Sequence, residues 1–501
     1  MSTMESGVSE ALLARLNPAQ RAALTARLAK ARAPGVDVVP RLPEGVTPPM
    51  SSAQRRLWFL HQYDPEDPSY GIPVAFALDG HLDVDALRRA LTDLAAAHDV
   101  LHTVYPATDG EPAPTRDPRV RPDLRIVDLG ADGAETGTDG ALTRARLDVR
   151  RPFDLAAGSP MRATVYRQGP GRDLFVLELH HIAADGWSLN LLLAELGRRY
   201  GEALAGPGPS APTTQPPPPL RYGDTAPPLR YGDTAPPLRY GDIAAWQADR
   251  LRGDALEREL AWWSQTLADA PGPLALPTDR PRPAVATTAG ARIERTLPAA
   301  LTAGVRSGAG RDGVTPFMVW LAGLGVALGR ICGTDDLVVG APVAGRLRAE
   351  FEDVVGCFVS TLALRVGTAG DPTGAQLLER VRAGTLAAYD HQELPFETLV
   401  DHLSPQRDLS TTALFQVLLN VHNQPLLDLR LQGLQTRWVD IDTATTKFDL
   451  NVAVVDTGDR MTVSWTYNRD LFDEATVQRL AAAVEAAIGG LCTTPARPVA
   501  T

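Results

Sequence analysis

The clearest hydrophobic signal in the chain is Leu174 to Leu179, LFVLEL, a short apolar run with Glu178 as its one charge. Such a run predicts a strand buried on both faces. It ends in two adjacent histidines, His180 and His181, followed by Asp185 and Gly186. Helical spacing flanks it. Before it, Asp83 caps a predicted helix with Leu87, Leu91 and Leu94 on one face. After it, Ser188 is the predicted cap of a helix through Tyr200, with Leu192 and Leu196 four apart. Near the start, Asn17, Pro18 and Gln20 form a helix-opening pattern whose apolar face is Leu24 and Leu28. Ser51 to Leu60 predicts a helix that buries one side, Thr315 to Arg330 another helix, and Asp336 to Pro342 a strand. Strand and helix character on both sides of a proline-rich middle predicts an α/β (α+β) chain in two halves.

That middle is unusual. Residues 205 to 219 are rich in Pro, Gly, Ser and Thr, and a nine-residue unit then occurs three times, PPLRYGDTA at 218–226 and 227–235 and PPLRYGDIA at 236–244. Nine residues is too short a period for a unit that stacks into its own core. The pattern reads as one native segment duplicated twice in place, with only the copy that runs on through Ala245 and Trp246 docked and the earlier two forming a Pro-rich loop.

The 501 residues are enough for more than one core. A formal charge of -11 argues against nucleic acid or an anionic membrane as the main partner. Lys30 and Lys447 are the only lysines, so nearly all positive charge is arginine. Cys332, Cys357 and Cys492 are too scattered for a zinc site and odd in number for a disulfide framework. With no signal-peptide pattern and no apolar run of membrane length, a soluble cytoplasmic protein is expected.

Chemistry concentrates at His180-His181-x-x-x-Asp185-Gly186. Neighbouring strand side chains point to opposite faces, so one histidine can face an opening while the other packs inside. Imidazole titrates nearest neutrality and can take and return a proton. Sequence leaves open whether Asp185 touches a ring or pairs with a distant arginine. Gly186 is read as the residue that permits the sharp strand-to-helix reversal.

This HHxxxDG arrangement resembles the core motif of the condensation domains of non-ribosomal peptide synthetases, in the superfamily that includes chloramphenicol acetyltransferase. Other segments resemble the same family in the same order. SSAQRRLWFL at 51–60 resembles its SxAQxRLWxL opening, and AHDVLHTVY at 97–105 its RHExLRTxF, with His98 kept and Ala97 and His102 in place of arginines. RYGDIAAW at 239–246, VVGCFVSTLALR at 354–365, HQELPFE at 391–397 and RDLSTTALFQV at 407–417 follow, with TKFDL at 446–450 and YNRDLFD at 467–473. Ser360 replaces the family's asparagine, and Thr411 and Ala413 an arginine and a proline.

The resemblance spans roughly residues 47 to 490 and implies two chloramphenicol-acetyltransferase-like halves in a V-shaped pseudo-dimer, each a mixed sheet flanked by helices. It divides the chain into a helical leader that docks or links (1–46), an N-terminal half carrying the motif (47–205), the Pro-rich repeat loop (206–245), a C-terminal half (246–490) and a tail (491–501). It implies carrier proteins as partners on either face, whose phosphopantetheine arms bring an acyl donor and an amine acceptor into a tunnel. In that scheme His181 is catalytic, as base or positioning residue. His180, Asp185 and Gly186 are support, with Arg346 in VAGR as the partner of Asp185, and Trp187 and Ser360 line the tunnel. No bound cofactor and no metal are implied, and a free-standing monomer is expected. The intact histidines separate the chain from heterocyclisation relatives, which carry DxxxxD, and the SxAQxRLWxL-like opening from epimerisation relatives. Ester formation with an alcohol, and a non-catalytic recruitment domain, are the alternatives.

Overall fold

The computed structural model describes residues 38–43, 45–129, 138–206, 237–403, 408–422 and 427–499. The leader helix expected around Asn17 and the first two nonapeptide copies lie outside them. The N-terminal half contributes β1 (Gly71–Asp79), two short antiparallel pairs, β2 (Thr103–Val104) with β5 (Thr115–Arg116) and β3 (Ala107–Thr108) with β4 (Glu111–Pro112), then β6 (Asp123–Asp128), β7 (Met161–Arg167) and β8 (Arg172–His180). The C-terminal half contributes β9 (Gly290–Thr296), β10 (Asp336–Val343), β11 (Ser360–Gly367), β12 (Val417–His422), β13 (Gln435–Val439), β14 (Leu450–Asp456) and β15 (Met461–Asn468).

These form two mixed sheets, in the orders β13-β1-β8-β7-β6 and β11-β10-β12-β14-β15-β9. β8 is a central strand, and its unbroken apolar run has a simple cause. Phe175, Leu177 and Leu179 pack into the core shared with Leu189, Leu192 and Leu196, whereas Leu174 and Val176 face Ala141 and Ala145 on the other side. The charge in the run, Glu178, is directly opposite Arg162 of β7 and 2.7 Å from its guanidinium. Both side chains are buried, so each satisfies the other. In the second half the helix Pro316–Cys332, capped by Thr315, is apolar nearly all round and lies inside the larger core.

One strand crosses between the halves. β13 belongs by sequence to the C-terminal half but pairs antiparallel with β1, Trp438 opposite Phe76, and completes the N-terminal sheet. The segment leading to it carries buried Leu429 and Leu431 into the N-terminal core. It crosses the helix Gly186–Ala205 at Gly197, where a Cβ would stand 2.3 Å from the Arg430 carbonyl oxygen. Only glycine lets the two backbones come that close.

The third nonapeptide copy is docked as expected. Tyr240–Arg250 is a helix with Tyr240, Ile243, Ala244 and Trp246 buried. Tyr240 fills the space that a side chain at Gly356 would need, since a Cβ there would lie 2.0 Å from its ring. Its hydroxyl bonds the Ser51 hydroxyl at 2.8 Å and the Cys357 carbonyl at 2.6 Å, which ties both halves to this helix. Among the described residues no helix is long and apolar enough to cross a membrane, and no disulfide joins the three cysteines to one another.

Candidate active site

β8 delivers His180 to the seam between the halves. Its ring is 4% exposed, edge-on to Phe153 and His61, and its Nδ1 accepts the Ile182 N–H at 3.1 Å. With that nitrogen occupied and no water to stabilise charge, burial pushes His180 down to about 3, and the positive charges of Lys447 and Arg162 act the same way. His181, one residue on, is partly exposed, and its N–H donates to the Tyr70 carbonyl at 2.9 Å. Desolvation holds its ring well below the usual histidine value, helped by Lys447, His180 and Arg56, while a hydrogen bond to the Ala184 backbone pulls the other way. At neutral pH both rings are therefore uncharged, and an uncharged imidazole can accept a proton.

The turn after His181 is fixed by Asp185. Its Oδ1 caps the helix Gly186–Ala205 through the Ser188 N–H at 2.8 Å, and its Oδ2 accepts the Phe358 N–H at 2.9 Å. The cap expected at Ser188 is thus one of the corrections the structure makes. Asp185 is the N-cap, because its carboxylate reaches back over the first turn, and Ser188 is the third helical residue. The Ser188 hydroxyl instead donates to the Gly356 carbonyl at 2.7 Å and receives the Gly356 N–H at 3.1 Å. Gly186 is the second correction. Its backbone is outside the left-handed region and a Cβ on it would meet nothing within 4 Å. The reversal therefore does not depend on glycine's freedom.

Arg346 reaches this turn from the other half. Its Nη2 lies 3.3 Å from Asp185 Oδ1 and 2.8 Å from the Ser188 hydroxyl. Its Nη1 donates to the Val354 carbonyl at 2.7 Å and to that of Phe351, and the guanidinium lies over the Phe358 ring at 4.2 Å. The side chains of Arg346 and Asp185 are 2% and 4% exposed. Of the two alternatives for Asp185, the structure places it against the distant arginine. Trp187 donates its indole N–H to the Glu352 carbonyl at 2.8 Å, and Ser360 opens β11 opposite Val343. His98, at the end of its helix, pairs with Glu195 at 2.8 Å.

Sequence reasoning singles out the motif and the Asp185–Arg346 pair but misses two further supports. Gln54 donates to the Ile182 carbonyl and the Tyr105 hydroxyl, both at 3.1 Å, and so fixes the His181 turn from the helix Ser52–Tyr63. Lys447 sits at the seam with its Nζ over the Tyr70 ring, 4.6 Å from the centroid. The signal for Lys447 is its rarity. Gln54 belongs to the SxAQxRLWxL-like opening, a pattern that by itself assigns it no contact.

A sequence profile of the family described as "Condensation domain" matches residues 46–224 and 229–501. The chain belongs to the condensation-domain family. Chondramide synthase of Chondromyces crocatus is 36% identical over 91% of this chain, and phosphinothricin tripeptide synthetase PhsC of Streptomyces viridochromogenes 37% identical over 93%. This condensation domain spans 11% and 41% of those two proteins. In fold it is similar to the crystal structure of the X-domain from teicoplanin biosynthesis, with a TM-score of 0.80, 24% identity and coverage of 92% of this chain and 99% of that one. The two-sheet architecture is that of the family.

Proposed function

We propose that this condensation domain joins an acyl group held as a thioester on one carrier protein's phosphopantetheine to an amine acceptor, usually brought by a second carrier, and so forms an amide. The observation that carries this reading is the position of His181. It is a partly exposed, neutral imidazole at a seam whose turn is held by groups from both halves. The acceptor nitrogen attacks the thioester carbon, and His181 accepts the nitrogen's proton as the C–N bond forms. Collapse of the tetrahedral intermediate breaks the C–S bond, and the proton passes from His181 to the departing thiolate. Holding both arms at one seam makes the aminolysis effectively intramolecular, with effective molarities on the order of 10⁵ M in favourable cases.

His180 and the Asp185–Arg346 pair serve as support in this scheme, and Trp187 and Ser360 line the passage. The domain boundaries at 46, 205, 245 and 490, a monomeric state and a cytoplasmic location are part of the same reading. The test is intact-protein mass spectrometry with a donor-loaded carrier and a panel of amines and alcohols, free and carrier-bound. Transfer by the wild type that is lost in His181→Ala, with the melting temperature unchanged, supports the reading, and the product names the nucleophile. Wild-type turnover by His181→Ala sinks the assignment. Carrier binding without transfer to any acceptor favours a recruitment role.

A further inference from the structure

One cation at the seam is a lysine in a chain that otherwise uses arginine. Lys447 is the one lysine among the described residues, and the other lysine of the chain is Lys30. Arginine keeps its charge under all ordinary conditions, whereas a buried lysine responds to its surroundings. Lys447 lies just before β14, held by its neighbours on both sides. The Thr446 N–H donates to the Thr288 carbonyl at 2.9 Å, and Asp449 pairs with Arg282. The Nζ rests on the face of the Tyr70 ring and, among the described residues, forms no ion pair. Tyr70 is the residue whose carbonyl holds the His181 N–H. One residue of the N-terminal half therefore seats the histidine with its backbone and the lysine with its ring.

We propose that Lys447 is a positioning residue of the condensation site, a cation from the C-terminal half that shares the Tyr70 seat with His181 and acts on that histidine across the seam. This rests on the assignment of His181 above. The charged and titratable groups around the pair are few. On the His181 side they are the uncharged ring of His180, the last residue of β8, and the cation Arg56 from the helix Ser52–Tyr63. Around Lys447 they are Arg56, Asp67 before β1, and Cys357. Glu397 of the helix Phe396–Leu403 pairs with Arg56 at 2.9 Å and takes up part of that charge. Of the two cations that act on His181, Arg56 and Lys447, only Arg56 has a carboxylate paired with it among the described residues. Burial pushes its ammonium down to about 8, so it still carries its charge at neutral pH and sheds it in mild base.

The test is a proton titration of His181 by NMR on the full chain, its signal assigned by loss in His181→Gln, in the wild type, Lys447→Met and Lys447→Arg. In Lys447→Met the midpoint rises by about one pH unit, the ordinary spread of histidine values among folded proteins. In Lys447→Arg it stays at the wild-type value. The acid limb of the transfer rate moves with it in Lys447→Met and not in Lys447→Arg. An unmoved His181 midpoint in Lys447→Met, or an equal rise in Lys447→Arg, overturns the proposal. Melting curves of the three proteins show whether each is folded. The titration does not depend on turnover, so wild-type transfer by His181→Ala removes the parent reading while the titration still decides the coupling.

Discussion

Replacing Asp185 by alanine tests whether its carboxylate holds the seam or takes part in the chemistry. The substitution removes the cap on the Ser188 N–H, the bond to the Phe358 N–H and the contact with Arg346. Loss of a cap alone costs about 1 kcal/mol. The larger effect is on Arg346, whose side chain is 2% exposed and whose nearest anion is gone. Removing one partner of a buried pair typically costs about 3–5 kcal/mol, because the other charge stays buried. The terms share groups and do not simply add, so a loss of about 3–5 kcal/mol is expected in all. Urea unfolding of wild type, Asp185→Ala, Arg346→Met and the double variant gives the magnitude. The double variant is expected to lose less than the sum of the singles, by about 0.5–3 kcal/mol. An Asp185→Ala protein within about 0.5 kcal/mol of wild type that transfers no acyl group would refute the reasoning.

Two further outcomes follow from the same geometry. His180 is held at about 3 in the folded chain against an ordinary histidine value of 6.5, so below pH 6.5 the unfolded state binds the extra proton. Its contribution is fully present above pH 6.5 and is lost as the pH falls toward 3, at up to about 1.4 kcal/mol per pH unit. Urea midpoints of wild type and His180→Gln should converge on acidification, and parallel pH curves would count against the burial argument. Gly186→Ala and Gly356→Ala should differ sharply. The first finds open space and leaves the melting temperature close to wild type, with a change of about 0.5 kcal/mol at most. The second drives a methyl into the Tyr240 ring and lowers stability by about 1–3 kcal/mol.

What could be read from sequence was local. The apolar run before His180 specified β8, Asp83 and Thr315 specified helix starts, and the third nonapeptide copy specified a docked segment, though not that it is helical. Ser188 misled because serine and aspartate are comparable caps, and choosing between them takes the position of the Phe358 N–H, 173 residues away. Gly186 misled because a glycine at a turn suggests conformational need, which only a backbone angle can establish. The contacts of Gln54 with Ile182 and of Lys447 with Tyr70 link distant segments. No periodicity encodes them. The exchange of β13 was equally hidden, since an edge strand of five residues looks the same whichever sheet receives it.

That exchange bears on how such domains can be recombined. A chimera joined between residues 206 and 237 swaps one half cleanly for another only on paper. The incoming half also brings a foreign β13, and with it a foreign edge to pair with β1 and a foreign backbone to lie against Gly197. Compatibility of the two parents is then decided less at the splice than in the five residues of β13 and the groove that receives them. A junction drawn to keep β1, Gly197 and 427–439 from one parent respects the sheet as it is built, although it cuts the sequence in two places.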